Sequence, residues 1–462
     1  MGVDVQGEPA VSNGAAAAWH ALLDADGGLA SASWEALQAE LTRNDLHFGG
    51  RPLCTVLRPR FLTPSEYAGL SASLAAVMRA FGAAFARAVA DPAALDQFRL
   101  SDWERTLVAE DRSGIAPSPT SRMDTFITPE TGALSITEYN GETPAGPFYN
   151  DALADAFSDL PVTRAFARDW RWSPLAARHG VLRSLLGGWE AWSGSRDLPR
   201  IAILDWNGVA THSEFVLAQR YIRARGLSCE IGDPRECTYE GGVLRLRGAP
   251  VDLVYKRVLI HELVEREGLD SPVVRAVRER AVCFLNGFRA KILHKKASLA
   301  VLSDERNASW FDGPATAAIR AHIPWTRLVE SRRTIEPDGT PIDLLPWCES
   351  RRERLVLKPN DDYGGAGIVL GWTVDDAEWA AALRHAVASP YIVQQRVVIP
   401  KESYPSWHDG RVVYADRQVD TAPYLVDANY VDGVLTRLST AELLNVTAGG
   451  GSQTPTVIVE RR

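Results

Sequence analysis

Residues 121–147 read SRMDTFITPETGALSITEYNGETPAGP. Two runs containing Thr, Phe, Ile and Tyr flank a Pro/Glu/Thr/Gly turn, which predicts two strands joined as a hairpin. Successive side chains on a strand alternate faces, so Glu138 and Asn140 project together from the second run. Arg122 and Asp124 project together from the first run. Two carboxylates and an amide carbonyl are oxygen donors of the kind Mg2+ takes while leaving room for phosphate. Arg122 can hold a phosphoryl or carboxylate oxygen through two N–H groups. An exposed hairpin face with a salt bridge would present the same residues, and the hairpin alone does not separate the two.

A second stretch narrows the choice. LVLKPNDDYGGAGIVLG, residues 355–371, places Lys358 at the end of an apolar run, ahead of a glycine loop that includes Tyr363, Gly364, Gly365 and Gly367. A tight hairpin needs about two turn residues. A longer glycine loop lets backbone N–H groups approach a phosphate closely, and a lysine beside it supplies a point charge. A flexible hairpin is the alternative. Upstream, KILHKKASLAVLSD carries Lys291, Lys295 and Lys296 in a helical pattern, with Lys291 and Lys295 on one face. Taken alone these form a surface basic face. YIVQQRVV, residues 391–398, is an apolar strand with a polar break that could offer backbone groups to an adenine edge, or be an ordinary strand.

The chain has 462 residues, 46% of them apolar and 23% charged, ordinary for a globular protein of two to four lobes. A net charge of −8 argues against wholesale electrostatic binding of nucleic acid. Any polyanion must be gathered by a few placed cations or a metal. The five cysteines, Cys54, Cys229, Cys237, Cys283 and Cys348, form no C-x-x-C pair and read as free thiols in a reducing compartment. No uninterrupted apolar run reaches membrane-spanning length, and the acidic N-terminus does not read as a secretory signal, so a cytoplasmic location is expected.

Along the chain, residues 1–118 read as a helical N-terminal region after a polar start. Residues 119–199 hold the hairpin followed by helices. The β-α-β texture of 200–260 implies a small parallel sheet, and 261–462 is helical to about 300, then strand-rich with a helix at 375–388. Walker and Rossmann glycine motifs are missing, and HELVE at 261–265 lacks the second histidine of a zinc protease.

Together, RMD…EYN and KP…YGGAG resemble the ATP-grasp ligases over about 120–150 and 285–462. The acidic strands precede the lysines, an order that resembles the circularly permuted group to which the synthetase domain of glutathionylspermidine synthetase belongs. The resemblance implies an α+β ATP-grasp fold with a pre-grasp-like α/β domain. It implies that Asp124, Glu138 and Asn140 bind Mg2+ at the ATP phosphates and that Arg122 steadies the transferred phosphoryl group. Lys296 or its neighbour Lys295, together with Lys358, would hold phosphates. Tyr363–Gly367 would cover them, and Gln395, Arg396 and Val397 would line the adenine hinge.

The implied reaction joins a small-molecule or peptide carboxylate to an amine through an acyl phosphate, with release of ADP and phosphate. No N-terminal Cys/His arrangement suggests an amidase domain. GETPAGPFYN, 141–150, is expected beside the carboxylate pocket, and NVTAGGGSQTP, 445–455, as either a lid or a tail. A nucleotide-binding protein without turnover, a small-molecule kinase, and a structural α/β protein are the competing readings.

Overall fold

Alanine- and leucine-rich periodicity gives helices through most of the first hundred residues. α1 (Pro9–Ala25) and α2 (Gly27–Arg43) flank Asp26, whose carboxylate caps α2. α3 (Pro64–Ala90) begins with a capping box: Thr63 Oγ1 accepts from the Glu66 amide at 3.1 Å, and the Glu66 carboxylate accepts from the Thr63 amide at 2.7 Å. The computed structural model describes residues 9–128, 131–361, 365–427, 430–440 and 451–462. Among these, α3 is the one helix long and apolar enough to cross a membrane; its Leu70, Leu74, Val77 and Phe81 lie inside a protein core. The helical expectation fails at Arg60–Leu62, a buried strand whose partner lies at the far end of the sequence.

The expected hairpin is present as β1 (Thr120–Ile127) and β2 (Leu134–Asn140). The next helices are α4 (Pro147–Ser158) and α5 (Ala177–Ser193). Then comes a parallel sheet. It contains β3 (Ile201–Leu204), β4 (Cys229–Gly232), β5 (Leu253–Lys256) and β6 (Cys283–Leu285), in spatial order β6-β5-β3-β4, with α6 (His212–Arg223) linking β3 to β4. β3, β5 and β6 are buried throughout, while β4 at the edge exposes Glu230. β6 interrupts the stretch expected to be helical, since three apolar residues cannot announce their own geometry. That stretch breaks again between α7 (Ala290–His294) and α8 (Ala297–Ser303), at Lys295.

A four-stranded antiparallel sheet follows, made of β7 (Thr326–Leu328), β8 (Leu355–Pro359), β9 (Val369–Leu370) and β10 (Tyr391–Gln395), ordered β7-β10-β8-β9. α9 (Asp376–Ala388), within it in sequence, packs Trp379 and Leu383 into its core. The last strands are β11 (Lys401–His408), β12 (Arg411–Val419), β13 (Ala422–Val426), β14 (Tyr430–Ser439) and β15 (Ser452–Arg461). They return to the hairpin in the order β11-β12-β14-β13-β1-β2. β15 pairs with β14, with Arg60–Leu62 and with Trp170–Pro174. Of the 445–455 loop, residues 445–450 lie outside the described residues, and from Ser452 the chain is a largely buried strand rather than a tail.

Candidate functional site

The β1–β2 register sets the geometry. Arg122 stands opposite Asn140 and Asp124 opposite Glu138, so the four side chains share one face. On the other face Met123 and Tyr139 enter the core, where Tyr139 stacks on Phe81 of α3 at 4.7 Å. A bulge leaves Thr137 without a cross-strand partner. Such bulges re-aim side chains next to functional sites, and here the Thr137 carbonyl accepts a hydrogen bond from Lys358 Nζ at 3.0 Å.

The two halves of the sequence meet on this face. Lys296 Nζ lies 3.0 Å from Glu138 Oε1. Lys358 also donates to Gln394 Oε1 at 2.7 Å. Asn360 ties the lysines together: its carbonyl accepts from the Lys296 amide at 2.9 Å, and its side-chain oxygen from the Ala297 amide at 2.8 Å. Lys295, the other candidate left by the sequence, turns away and pairs with Glu104 and Asp361, each at 2.7 Å. It is Lys296 that reaches the hairpin.

Burial raises the Asp124 carboxyl, but Arg122 and Arg437 outweigh it and hold it well below the usual carboxylate range. Arg122 Nε lies 2.8 Å from Asp124 Oδ1, and Arg437 Nη2 2.8 Å from Asp124 Oδ2. Both Asp124 oxygens are therefore engaged. Arg437 also pairs with buried Asp420. Sequence reasoning missed Arg437 and Asp420, because alternation along β14 gives no hint that an arginine there meets β1. For Glu138, burial acts upward and Lys296 downward, and the lysine wins. Burial, only partly offset by Glu138, pushes Lys358 down to about 8. Asn140 Nδ2 is buried with no hydrogen-bond partner among the described residues. The Glu138 carboxylate and the Asn140 amide oxygen are the oxygen donors this face could offer a divalent cation.

The glycine-loop residues Tyr363 and Gly364 lie outside the described residues. Gly365 and Gly367 have φ of 79° and 68°, where a side chain is strained. A Cβ on Gly367 would also come within 3.1 Å of Pro359. Gln395, Arg396 and Val397 line a cavity of about 620 Å³, together with Trp372, Lys401 and Gln418. The Arg396 guanidinium sits 4.0 Å above the Trp372 ring. Adjacent residues connect cavity and lysine: Gln395 lines the one and Gln394 holds the other.

Residues 142–148 pass from the hairpin to the carboxyl end of β5 and to Glu214 of α6. Arg122 donates to the Ala145 carbonyl at 2.9 Å and Arg257 to the Pro144 carbonyl at 2.8 Å. Glu214 accepts from the Gly146 amide at 2.8 Å. Gly146 has φ 105°, and a Cβ there would lie 2.5 Å from Tyr424 Oη. The connection from β3 leads to β4 on one side and that from β5 leads to β6 on the other, the crossover where open α/β sheets bind ligands. Asp205, just past β3, is pushed up to about 6 by burial.

No protein-family profile matches the chain. Across 93% of its length it superposes on 96% of a glutathione synthetase-like effector from Globodera pallida, with a TM-score of 0.55 and 13% identity. The chain has a mixed α/β fold of the glutathione synthetase-like kind. In sequence it is 24% identical over 214 residues to a Frankia alni protein named as a candidate glutamate–cysteine ligase 2-3, and 33% identical over 132 residues to an uncharacterised Mycobacterium bovis protein. These matches cover 44% and 26% of this chain, and about a quarter of each relative's length (23% and 24%). The likeness is thus to glutathione synthetase-like proteins, without singling out glutathionylspermidine synthetase.

Proposed function

We propose that the protein is an ATP-dependent carboxylate–amine ligase of the circularly permuted ATP-grasp type, ADP-forming, with an acyl phosphate between its two half-reactions. The observation that carries this reading is the meeting of Glu138, Lys296 and Lys358 at one hairpin face, from segments far apart in sequence. Relatives named for glutamate–cysteine ligation and glutathione synthesis support an amino acid or peptide carboxylate as substrate.

Glu138 and Asn140 would hold Mg2+, with Asp124 as their charged neighbour, and the ion would neutralise phosphate charge. Lys296 and Lys358 place positive charge at the phosphates, where the transferred group spreads its negative charge over three oxygens. Arg122, held in orientation by Asp124, faces the 142–148 segment where the acceptor carboxylate would lie. Gln395, Arg396 and Val397 would border the adenine, with Gly365 and Gly367 beside the phosphates. The proposed lobes are the helical region to 118, the hairpin region 119–199, the α/β domain 200–260 and the lysine and hinge portion 261–462.

The test is ADP release from Mg2+-ATP with pools of amino acids and small peptides, using hydroxylamine as the amine and mass spectrometry to detect hydroxamates. A hydroxamate that disappears in Asn140→Ala supports the reading and names the acid. ADP without hydroxamate favours a kinase, and absence of ATP binding overturns the proposal.

A further inference from the structure

A second ionic cluster lies behind the hairpin face. Lys291 Nζ stands 2.6 Å from Asp361 Oδ2, 3.3 Å from Glu142 Oε2 and 3.4 Å from Glu104 Oε1, on a side chain 1% exposed. Lys295 pairs with Asp361 and Glu104, and Lys256 lies 3.5 Å from Glu142 Oε1. Three carboxylates thus face three ammonium groups. Glu142, His294 and Asp361 have ligand atoms within 4.8 Å of one another, as a metal site would. Here the Lys291 ammonium contacts both carboxylates and takes the cation's place.

The connectivity gives the cluster its meaning. Glu142 lies two residues beyond Asn140, and Asp361 three beyond Lys358. Between them Asn360 fixes the start of α8, and so Lys296. One buried ammonium therefore joins the chain leaving β2 to the chain leaving β8.

We infer that Lys291 is a positioning residue that sets the separation between the hairpin pair Glu138/Asn140 and the lysines 296 and 358. Its consequence for turnover rests on the ligase reading; its structural content does not. Lys291→Met alone leaves Glu104, Glu142 and Asp361 without the ammonium they share, a change that can unfold a chain. The informative variant is K291M/D361N. It keeps two acids, Glu104 and Glu142, against two lysines, Lys295 and Lys256, each still facing its partner, and cuts only the bridge.

Hydrogen exchange without nucleotide should quicken by about tenfold or more in 134–142 and 355–361 relative to the rest of the chain. In the ligase assay kcat should fall by about 10- to 100-fold, as for a small misplacement of reacting groups. Unchanged exchange in both segments overturns the inference whether or not the protein uses ATP. Faster exchange with unchanged kcat and ATP KM overturns its functional half. A wild-type protein that binds no ATP defeats the ligase reading and leaves exchange to decide the bridge. If the double variant does not fold, Asp361→Asn alone, which leaves each lysine of the cluster a carboxylate, decides by the same measurement: faster exchange in both segments supports the bridge, and unchanged exchange overturns it.

Discussion

Lys358 supplies a quantitative test of the phosphate reading. Its hydrogen-bond acceptors are two neutral oxygens, and burial, only partly offset by the Glu138 charge, pushes it down to about 8. Against an ordinary lysine near 10.4, that corresponds to about 3 kcal/mol withheld from the charged form. A bound phosphate would restore this interaction, so binding favours the protonated lysine. Below pH 8 the proton is already present and affinity for Mg2+-ATP should be flat. Above pH 8 each binding event must take up a proton, and Kd should rise by about tenfold per pH unit. Between pH 7 and 9.5 the change is roughly 30-fold.

Titration calorimetry in buffers of different ionisation heat measures both Kd and proton uptake, which should climb from near zero towards one. Lys358→Arg, which does not titrate in this range, should remove the slope. Burial also pushes Lys256 down to about 8, but it faces Glu142 rather than Gln394, so Lys256→Met should keep the slope. A Kd that moves by less than about twofold, or a slope that survives in Lys358→Arg, refutes the reasoning.

Other consequences are simpler. Asp124→Ala leaves Arg122 and Arg437 facing each other without their shared acid and should cost about 3–5 kcal/mol in denaturant unfolding. Glu138→Gln should raise the Mg2+ concentration needed for half-maximal activity by about tenfold or more and, by removing the carboxylate that faces buried Lys296, should also lower the melting temperature. Thr63→Ala removes half of the α3 capping box and should destabilise by about 1 kcal/mol, without altering ATP affinity. Gly146→Ala places a methyl against Tyr424 in a left-handed backbone and should lower both stability and kcat, read by thermal melts and the hydroxamate assay.

The hairpin was legible because strand alternation is local: Arg122 shares a face with Asp124, and Glu138 with Asn140, wherever the hairpin goes, while the register that puts all four together is seen only in the structure. The run TPSE at 63–66 likewise reads as a helix start from local chemistry alone, and it caps α3. What local pattern cannot carry is the identity of a distant neighbour. Lys291 and Lys295 read as a basic helix surface, yet they lie buried against Glu104 and Asp361 from other parts of the chain. Arg437 looked like one more polar residue on a strand, and its meaning came only with β13 placing β14 one strand away from β1. β6 was hidden because a three-residue strand owes its existence to β5 beside it.

The position of β15 bears on how the protein is made. This strand fills a gap between Arg60–Leu62, Trp170–Pro174 and β14. At ribosomal rates of about 5–20 residues per second, the roughly 400 residues between Arg60 and its partner take some 20–80 s to synthesise. Throughout that interval Phe61 and Trp170 lack the neighbours Val457 and Val459 that complete their core. The nascent chain therefore carries an open apolar seam until β15 emerges, which makes it a client for chaperones during translation and makes β15 a poor place for a cut.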